Sequence, residues 1–409
     1  MRKGWVRKKI GEIGKVQTGS TPKTSEDKNF GDYIPFIKPP NFLKDGSLDY
    51  EDKGLSKIGL NQSRLIDKDS VVMVCIGATI GKVGFTEREV AANQQINSLT
   101  PLNGDCKKFI FYQMLTKEFQ DKVLDSSGQA TLPIINKSKW SSLSILLPPI
   151  DEQKRIVAVV DQAFEAIDVA IENTKQNLVN ARELFESYLN DVFDRKGDDW
   201  IDKKLEDICS IKHGFAFKGE FFTLEESDYI LLTPGSFYED GGYREQGEKT
   251  KYYVGEIPDS YILKEGDLLF AMTEQAVGLL GSSLIVPESD KFLHNQRLGL
   301  VQIVDGFVWY NKFFFHQFNT KAFRAGVQSS ASGVKVRHTS PGKLGVMPIC
   351  FPLTIAEQKA VADTLDKLEA ETQRLESIYR QKLAALTELK QSILQKAFTG
   401  GLTADQKAP

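Results

Sequence analysis

The sequence predicts an α+β protein: two mixed globes, each followed by a helix of about 40 residues, with the halves related by an internal repeat. Two observations carry this. Trp5-Val6-Arg7-Lys8-Lys9-Ile10 returns as Trp200-Ile201-Asp202-Lys203-Lys204-Leu205, and Glu152-Gln153-Lys154 ahead of one heptad segment returns as Glu357-Gln358-Lys359 ahead of another. The length, 409 residues, exceeds what one hydrophobic core usually serves. The boundaries read as a first globe over residues 1–150, a first helix over 151–197, a second globe over 198–352, and a second helix with its tail over 353–409.

The helices are the plainest elements. From Glu152 to Phe193 there is no proline or glycine, and apolar positions recur in steps of three and four from Ile156 to Val192, which is one helical face. Adding 205 to each number gives the second stripe, Val361 to Ala397, without an insertion. Each helix would span roughly 60 Å at 1.5 Å per residue. The economical partner for either stripe is the other, packed as an antiparallel coiled coil about a pseudo-twofold axis, with Ile156, Val160, Ile167, Leu178, Leu365, Leu368, Leu375 and Leu383 in the seam. Proline stands before each helix, at Pro148-Pro149 and Pro352, and glycine after it, at Gly197 and Gly400-Gly401.

Within the globes, Ser70–Val74 and Asp267–Phe270 read as strands, and Phe109–Val123 and Val308–Val327 as late helices. Net charge is −3, unevenly spread. The first globe holds 22 basic and 16 acidic residues, the first helix 6 and 10, the second globe 16 and 21, and the tail segment 8 and 8. Each globe ends in an acid-free stretch, between Asp125 and Asp151 and between Asp305 and Glu357. The second stretch carries Lys312, Lys321, Arg324, Lys335, Arg337 and Lys343, so a local positive face is expected on both globes.

Several function classes are excluded. Cys75, Cys106, Cys209 and Cys350 are too scattered for a disulfide framework or a zinc knuckle. The basic start is followed by polar residues rather than an export core, and the longest apolar stretch, Val71 to Ile76, is far short of a bilayer, so a cytoplasmic protein without a membrane span is expected. Lys38-Pro39-Pro40-Asn41-Phe42 has the wrong order for a base-flipping amino-methyltransferase, and Pro258-Asp259 lacks a nearby acid-x-Lys partner for a nuclease. His213, His294, His316 and His338 show no metal spacing. No catalytic residue and no metal ligand is expected.

The candidates that remain suit nucleic acid. Gly77-Ala78-Thr79-Ile80-Gly81-Lys82 is one residue too short for a phosphate loop and has Val83 where a hydroxyl would hold magnesium, so it is a strand-to-strand turn, or such a turn that also offers its N–H groups, Thr79 and Lys82 to a DNA backbone. Asn93-Gln94-Gln95 recurs as Asn295-Gln296-Arg297, with amide and guanidinium groups that pair two-pronged with adenine or guanine edges; local turn stabilisation is the other reading. Thr18, Ser20 and Thr21 around Gly19 match Lys212, His213 and Lys218 around Gly214, with both glycines offset by 195. Lys38, Gln129, Gln275, Lys335 and Arg337 complete the DNA-binding candidates.

In this order, and duplicated, these motifs closely resemble the DNA-specificity subunit of type I restriction-modification enzymes. The resemblance covers essentially the whole chain and rests on the globe-helix-globe-helix order, the 77–82 hexamer, Asn93-Gln94-Gln95, Leu147-Pro148-Pro149-Ile150-Asp151-Glu152-Gln153-Lys154 and the tail Ala397-Phe398-Thr399-Gly400-Gly401-Leu402-Thr403. It implies that each globe is a target recognition domain reading half of a split double-stranded DNA target, and that the helices set the unread spacer. It also implies that two modification subunits using S-adenosylmethionine dock on this chain, that restriction subunits using ATP and Mg can join, and that the chain itself binds no cofactor and catalyses nothing. The second globe departs from the pattern, with Thr273-Glu274-Gln275-Ala276-Val277-Gly278 in place of the hexamer. A coiled-coil scaffold whose globes bind protein or glycan shares the heptads, but has no reason to carry acid-free, cation-bearing segments at matching places.

Overall fold

The computed structural model describes residues 4–43, 45–102, 106–128, 132–274, 278–399 and 401. It forms two compact units, residues 1–175 with 381–409 and residues 176–380. Each unit joins one globe to the first part of the helix that follows it and the last part of the other helix. The helices are Ile150–Arg195 and Ile355–Thr399.

Both globes are built on one four-stranded antiparallel sheet of the same strand order. In the first globe the order is Gly14–Thr18, Ile96–Pro101, Val71–Val74, Val83–Phe85. In the second it is Cys209–His213, Leu298–Ile303, Leu268–Ala271, Ser283–Ile285. The strands Val71–Val74 and Leu268–Ala271 are buried at every position because side chains alternate between two cores. Val71 and Met73 enter the larger core of the first globe and Val72 and Val74 the smaller; Leu268 and Phe270 are divided from Leu269 and Ala271 in the same way. A second small sheet differs between the globes, with three strands in the first and four in the second.

The tryptophan repeat marks where each globe closes on its helices. Val6–Lys9 pairs antiparallel with Ser144–Leu147, and Trp200–Lys204 with Pro348–Pro352. Trp5 meets Phe109 edge-on at 6.3 Å, and Phe109 lies 4.9 Å from Phe398 at the end of the second helix. Trp200 meets Phe313 at 5.3 Å, and Phe313 lies 5.3 Å from Phe193 at the end of the first helix. The Glu-Gln-Lys repeat has an equally local cause. Gln153 and Gln358 are fully buried, and each side chain stitches its helix to its globe. Gln153 accepts from Cys106 N at 2.9 Å and donates to Pro148 O at 2.9 Å. Gln358 accepts from Tyr310 N at 2.8 Å and donates to Val308 O at 3.1 Å and Pro352 O at 3.0 Å.

The late helix expected over Phe109–Val123 is two helices, Lys107–Met114 and Lys117–Ser127, and the one expected over Val308–Val327 is likewise Asn311–Phe318 and Lys321–Ser329. A threonine interrupts each pair: Thr116 and Thr320 take extended backbone and accept from Phe119 N and Phe323 N, capping the second helix.

Within each unit the helix segments run antiparallel. In the second unit the Arg182 guanidinium grips Glu376 at 2.6 and 2.9 Å, while Leu189 and Phe193 share a core with Ala362 and Leu365. In the first, Lys390 pairs with Asp168 and covers the Phe164 ring at 4.9 Å, while Ile156 and Val160 share a core with Leu394 and Ala397. Of the seam residues, Ile156, Val160, Ile167 and Leu365 are buried and Leu178, Leu368 and Leu383 half-buried. Leu375, expected in the seam, is instead 41% exposed; Leu184, Tyr188 and Leu389 on the two stripes are exposed as well, and Leu189, Phe193 and Leu394 are buried. The buried positions of the second helix lie at its two ends, where Ala362 and Leu365 join one globe's core and Leu394 and Ala397 the other's; Leu375 lies mid-helix and belongs to neither core. Among the described residues no helix is long and apolar enough to cross a membrane.

Candidate nucleic-acid interface

In the first globe the separate sequence candidates converge on one turn. Asn93 opens it: its Oδ1 accepts from Gln95 N at 3.1 Å and its Nδ2 donates to Gln95 Oε1 at 2.9 Å, which fixes the Asn-Gln-Gln backbone. Asn93 N donates to Ile37 O at 3.1 Å, bringing Lys38 alongside; the Lys38 ammonium lies 5.7 Å from the Phe36 ring. The loop after Gly14–Thr18 closes over the turn. Gly19 N donates to Ile96 O at 2.9 Å, and a Cβ on Gly19 would lie 2.3 Å from Asn93 O. Thr21 Oγ1 donates to Gln94 Oε1 at 2.6 Å, Thr18 Oγ1 to Asn97 Oδ1 at 2.7 Å, and Ser20 sits opposite Ser63. Gln95 Nε2 reaches Ile76 O at 3.4 Å, just before the hexamer.

The hexamer is the turn joining antiparallel strands Val71–Val74 and Val83–Phe85, with positive φ at Gly77 and Gly81. Most of its amides are used internally: Gly77 N donates to Pro133 O, Ile80 N to Gly77 O, Gly81 N to Val74 O and Lys82 N to Thr79 O. Thr79 is exposed at the tip, and the exposed Lys82 turns its ammonium to Phe42 O at 3.2 Å.

The second globe repeats the device with other side chains. Asn295 Oδ1 accepts from Arg297 N at 3.0 Å, and a Cβ on Gly214 would meet Asn295 O at 2.1 Å. Phe215 N donates to His294 O at 2.8 Å and Gln296 N to Phe215 O at 2.9 Å. Asn295 is buried, whereas Gln296 and Arg297 are exposed, as are His213 and Lys218. The Lys212 ammonium lies 4.4 Å from the Tyr261 ring centre and donates to Ser260 O at 2.7 Å. His294 is fully buried beside it, and burial pushes its imidazole down to about 4.

Where the first globe has its hexamer, the second has a buried carboxylate. Glu274 Oε2 accepts from Gly278 N at 3.1 Å, Leu279 N at 2.9 Å and Leu280 N at 2.8 Å, and Oε1 accepts from Arg337 Nη1 at 3.0 Å. The three N–H groups that could have cradled a phosphate are thereby filled from within. Arg337 also donates to Gln328 twice at 2.6 Å. Lys335, on the same loop, is exposed. Gln129 and Gln275 lie outside the described residues.

The acid-free stretch of the second globe is not acid-free in space. Lys312 pairs with Asp366 at 2.6 Å and Lys321 with Glu186 at 3.1 Å, both acids lying on the long helices. Arg337 is held by Glu274, and Arg324 is half-buried, its guanidinium on Glu239 O and Gly278 O and pushed down to about 10 by desolvation. Among the described residues of the second globe, the exposed Lys218, Arg297 and Lys335 are left as outward cations of the candidate set, a smaller positive face than its acid-free stretch predicts. Sequence reasoning missed Glu274; its signal was the carboxylate standing where the first globe has a glycine-rich turn.

The family model of the type I restriction modification DNA specificity domain matches residues 2–181 and again 197–385. The chain is 31% identical over 172 residues to the HindI specificity subunit of Haemophilus influenzae, covering 40% of this chain and 37% of that protein. It is 28% identical over 239 residues to the MjaIX specificity subunit of Methanocaldococcus jannaschii, covering 52% and 53%. The chain thus spans about half or less of the length of these two relatives. With the MjaVIII specificity subunit of the same archaeon the identity is 21%, over 97% of this chain and 92% of the relative. Among solved structures, a chain described under complex assembly and conformational transition of the type I R-M system shares the fold, with a TM-score of 0.77 at 16% identity over 97% and 98% of the two chains. The HsdS subunit from Thermoanaerobacter tengcongensis matches at a TM-score of 0.59 and 16% identity, over 97% of each chain.

Proposed function

Because the chain belongs to the type I restriction-modification DNA specificity family, we propose that its two globes each read one half of a bipartite, asymmetric double-stranded DNA target. The observation that carries this is the shared turn. Both globes hold an asparagine-led turn beneath a glycine, yet expose different groups: Gln94 in the first, with the half-buried Gln95 amide bracing the turn from within, and Gln296 and Arg297 in the second. Amides pair two-pronged with adenine and guanidinium with guanine, so one framework carries two different readers. Thr18, Ser20, Thr21, Lys38, Thr79 and Lys82, and in the second globe Lys212, His213, Lys218 and Lys335, flank these readers as hydrogen-bonding and backbone-phosphate contacts.

The long helices set the unread spacer and dock two modification subunits, which bind S-adenosylmethionine and methylate adenine; restriction subunits using ATP and Mg join them. This chain aims that chemistry in the cytoplasm and performs none. Its small positive face supports weak DNA binding alone and tight, salt-sensitive binding with the modification subunits. The test is a chimera in which residues 1–150 are replaced by another member's first globe, co-expressed with the modification subunit, and its methylated DNA sequenced. One half of the motif changes and the other stays; a change in both halves overturns independent reading.

A further inference from the structure

The contact that fastens each globe to the helix following it is repeated with two differences. In the first unit Lys108 Nζ donates to Asp161 Oδ2 at 2.9 Å, the Tyr112 hydroxyl donates to Asp161 Oδ1, and the Phe164 ring stands edge-on to Tyr112 at 5.5 Å. In the second unit the lysine and aspartate return, with Lys312 Nζ 2.6 Å from Asp366 Oδ2. The tyrosine has become His316, fully buried, with Nε2 2.7 Å from Asp366 Oδ1, and the phenylalanine has become Glu369. Asp366 and Glu369 are one helical turn apart on the long helix, and His316 faces them from Asn311–Phe318. One ligand atom from each of the three lies within 4.8 Å of the other two.

The exchange changes the chemistry of the place. In the first unit one carboxylate is balanced by one lysine beside an apolar ring. In the second, two carboxylates stand beside one lysine, and half-buried Glu369 has a contact of 3.4 Å from Gln373 on its own helix. An extra carboxylate away from bulk water calls for a cation. We infer that His316, Asp366 and Glu369 bind a divalent first-row transition ion through one imidazole nitrogen and two carboxylate oxygens, a donor set that suits zinc and its neighbours. Bonds of about 2.0–2.2 Å put donors roughly 3–3.5 Å apart, so Glu369 closes in by about 1 Å while His316 and Asp366, now 2.7 Å apart, open slightly. The ion takes the place of the hydrogen between His316 Nε2 and Asp366 Oδ1, the neutral ring keeping its proton on Nδ1, and Lys312 stays on Oδ2 as the outer partner orienting the carboxylate. The ion staples the second globe to its helix where the first uses Tyr112 and Phe164. This inference does not rest on the DNA reading.

The experiment is a Co2+ titration of the full chain after chelator treatment, read by visible d–d absorption, beside the double variant His316→Tyr with Glu369→Phe, which installs the first unit's own residues. The wild type shows one saturable equivalent per chain and the double variant none. No saturable band in the wild type, or the same band in the variant, overturns the inference. Should the double variant fail to fold, Glu369→Gln, unchanged in size, weakens Co2+ at least ~10-fold; unchanged affinity there is equally decisive against it.

Discussion

Gly19 lies so close to Asn93 that a methyl group on it would come within 2.3 Å of the Asn93 carbonyl oxygen, and Gly214 stands 2.1 Å by the same measure from that of Asn295. Both obstacles are backbone, which cannot swing aside. Gly19→Ala therefore displaces the Asn93-Gln94-Gln95 turn at a cost of about 1–3 kcal/mol. Its expected outcome is DNA binding by the assembled methyltransferase at least ~10-fold weaker, with discrimination lost in the first half-site only. Gly214→Ala does the same to the second half. Competition binding against DNA altered in one half at a time checks both.

Glu274 and Arg337 answer to the same logic from the charge side. Glu274→Ala strands three backbone N–H groups and a half-buried guanidinium. The second unit loses about 3 kcal/mol, read by urea unfolding. A loss under 1 kcal/mol would show that water fills the nest equally well.

The buried glutamines predict a paired result. Gln358→Ala leaves the Tyr310 amide and two carbonyls without their partner, and Gln153→Ala leaves the Cys106 amide. Each lowers stability by about 2–3 kcal/mol. The losses fall in different units, so chemical denaturation followed near Trp200 responds to the first substitution and not the second.

His294 makes the second globe sensitive to acid. Its ordinary value is 6.5 and burial lowers it to about 4, so the unfolded ring gains a proton before the folded one does. The contribution to stability is complete above 6.5 and declines as pH falls through 6.5 toward 4. Between pH 7 and pH 5 it loses about 2 kcal/mol. His294→Gln, which still donates to Leu298 O, flattens that part of the pH profile; urea unfolding at the two pH values shows whether it does.

How much of this was legible beforehand follows from the range of the interactions. The stripe from Ile156 to Ile167 was readable because helical spacing is local, whereas the exposure of Leu375 depends on where along the helix a globe packs, which the spacing does not record. The glycine and Asn-Gln motifs were visible singly, but their meeting depends on a pairing across 79 residues, as Thr18 and Asn97 show. The expected positive face shrank for the same reason. Asp366 and Glu186 lie outside the acid-free stretch in sequence and directly against its lysines in space. His316 gave no metal spacing along the chain because its companions lie 50 and more residues away, on another helix.

The division of the chain has one more consequence, for the order in which the protein is made. The second unit is the unbroken stretch Gln176–Arg380, whereas the first needs residues 1–175 together with those from Gln381 onward. Leu394 and Ala397 belong to the first unit's core, and Phe398 packs on Phe109. On the ribosome the amino-terminal half emerges first and waits longest. The globe translated second can close while its predecessor still lacks a wall, and the turns from Leu394 to Phe398, made after the whole second unit, are the ones that finish the first globe.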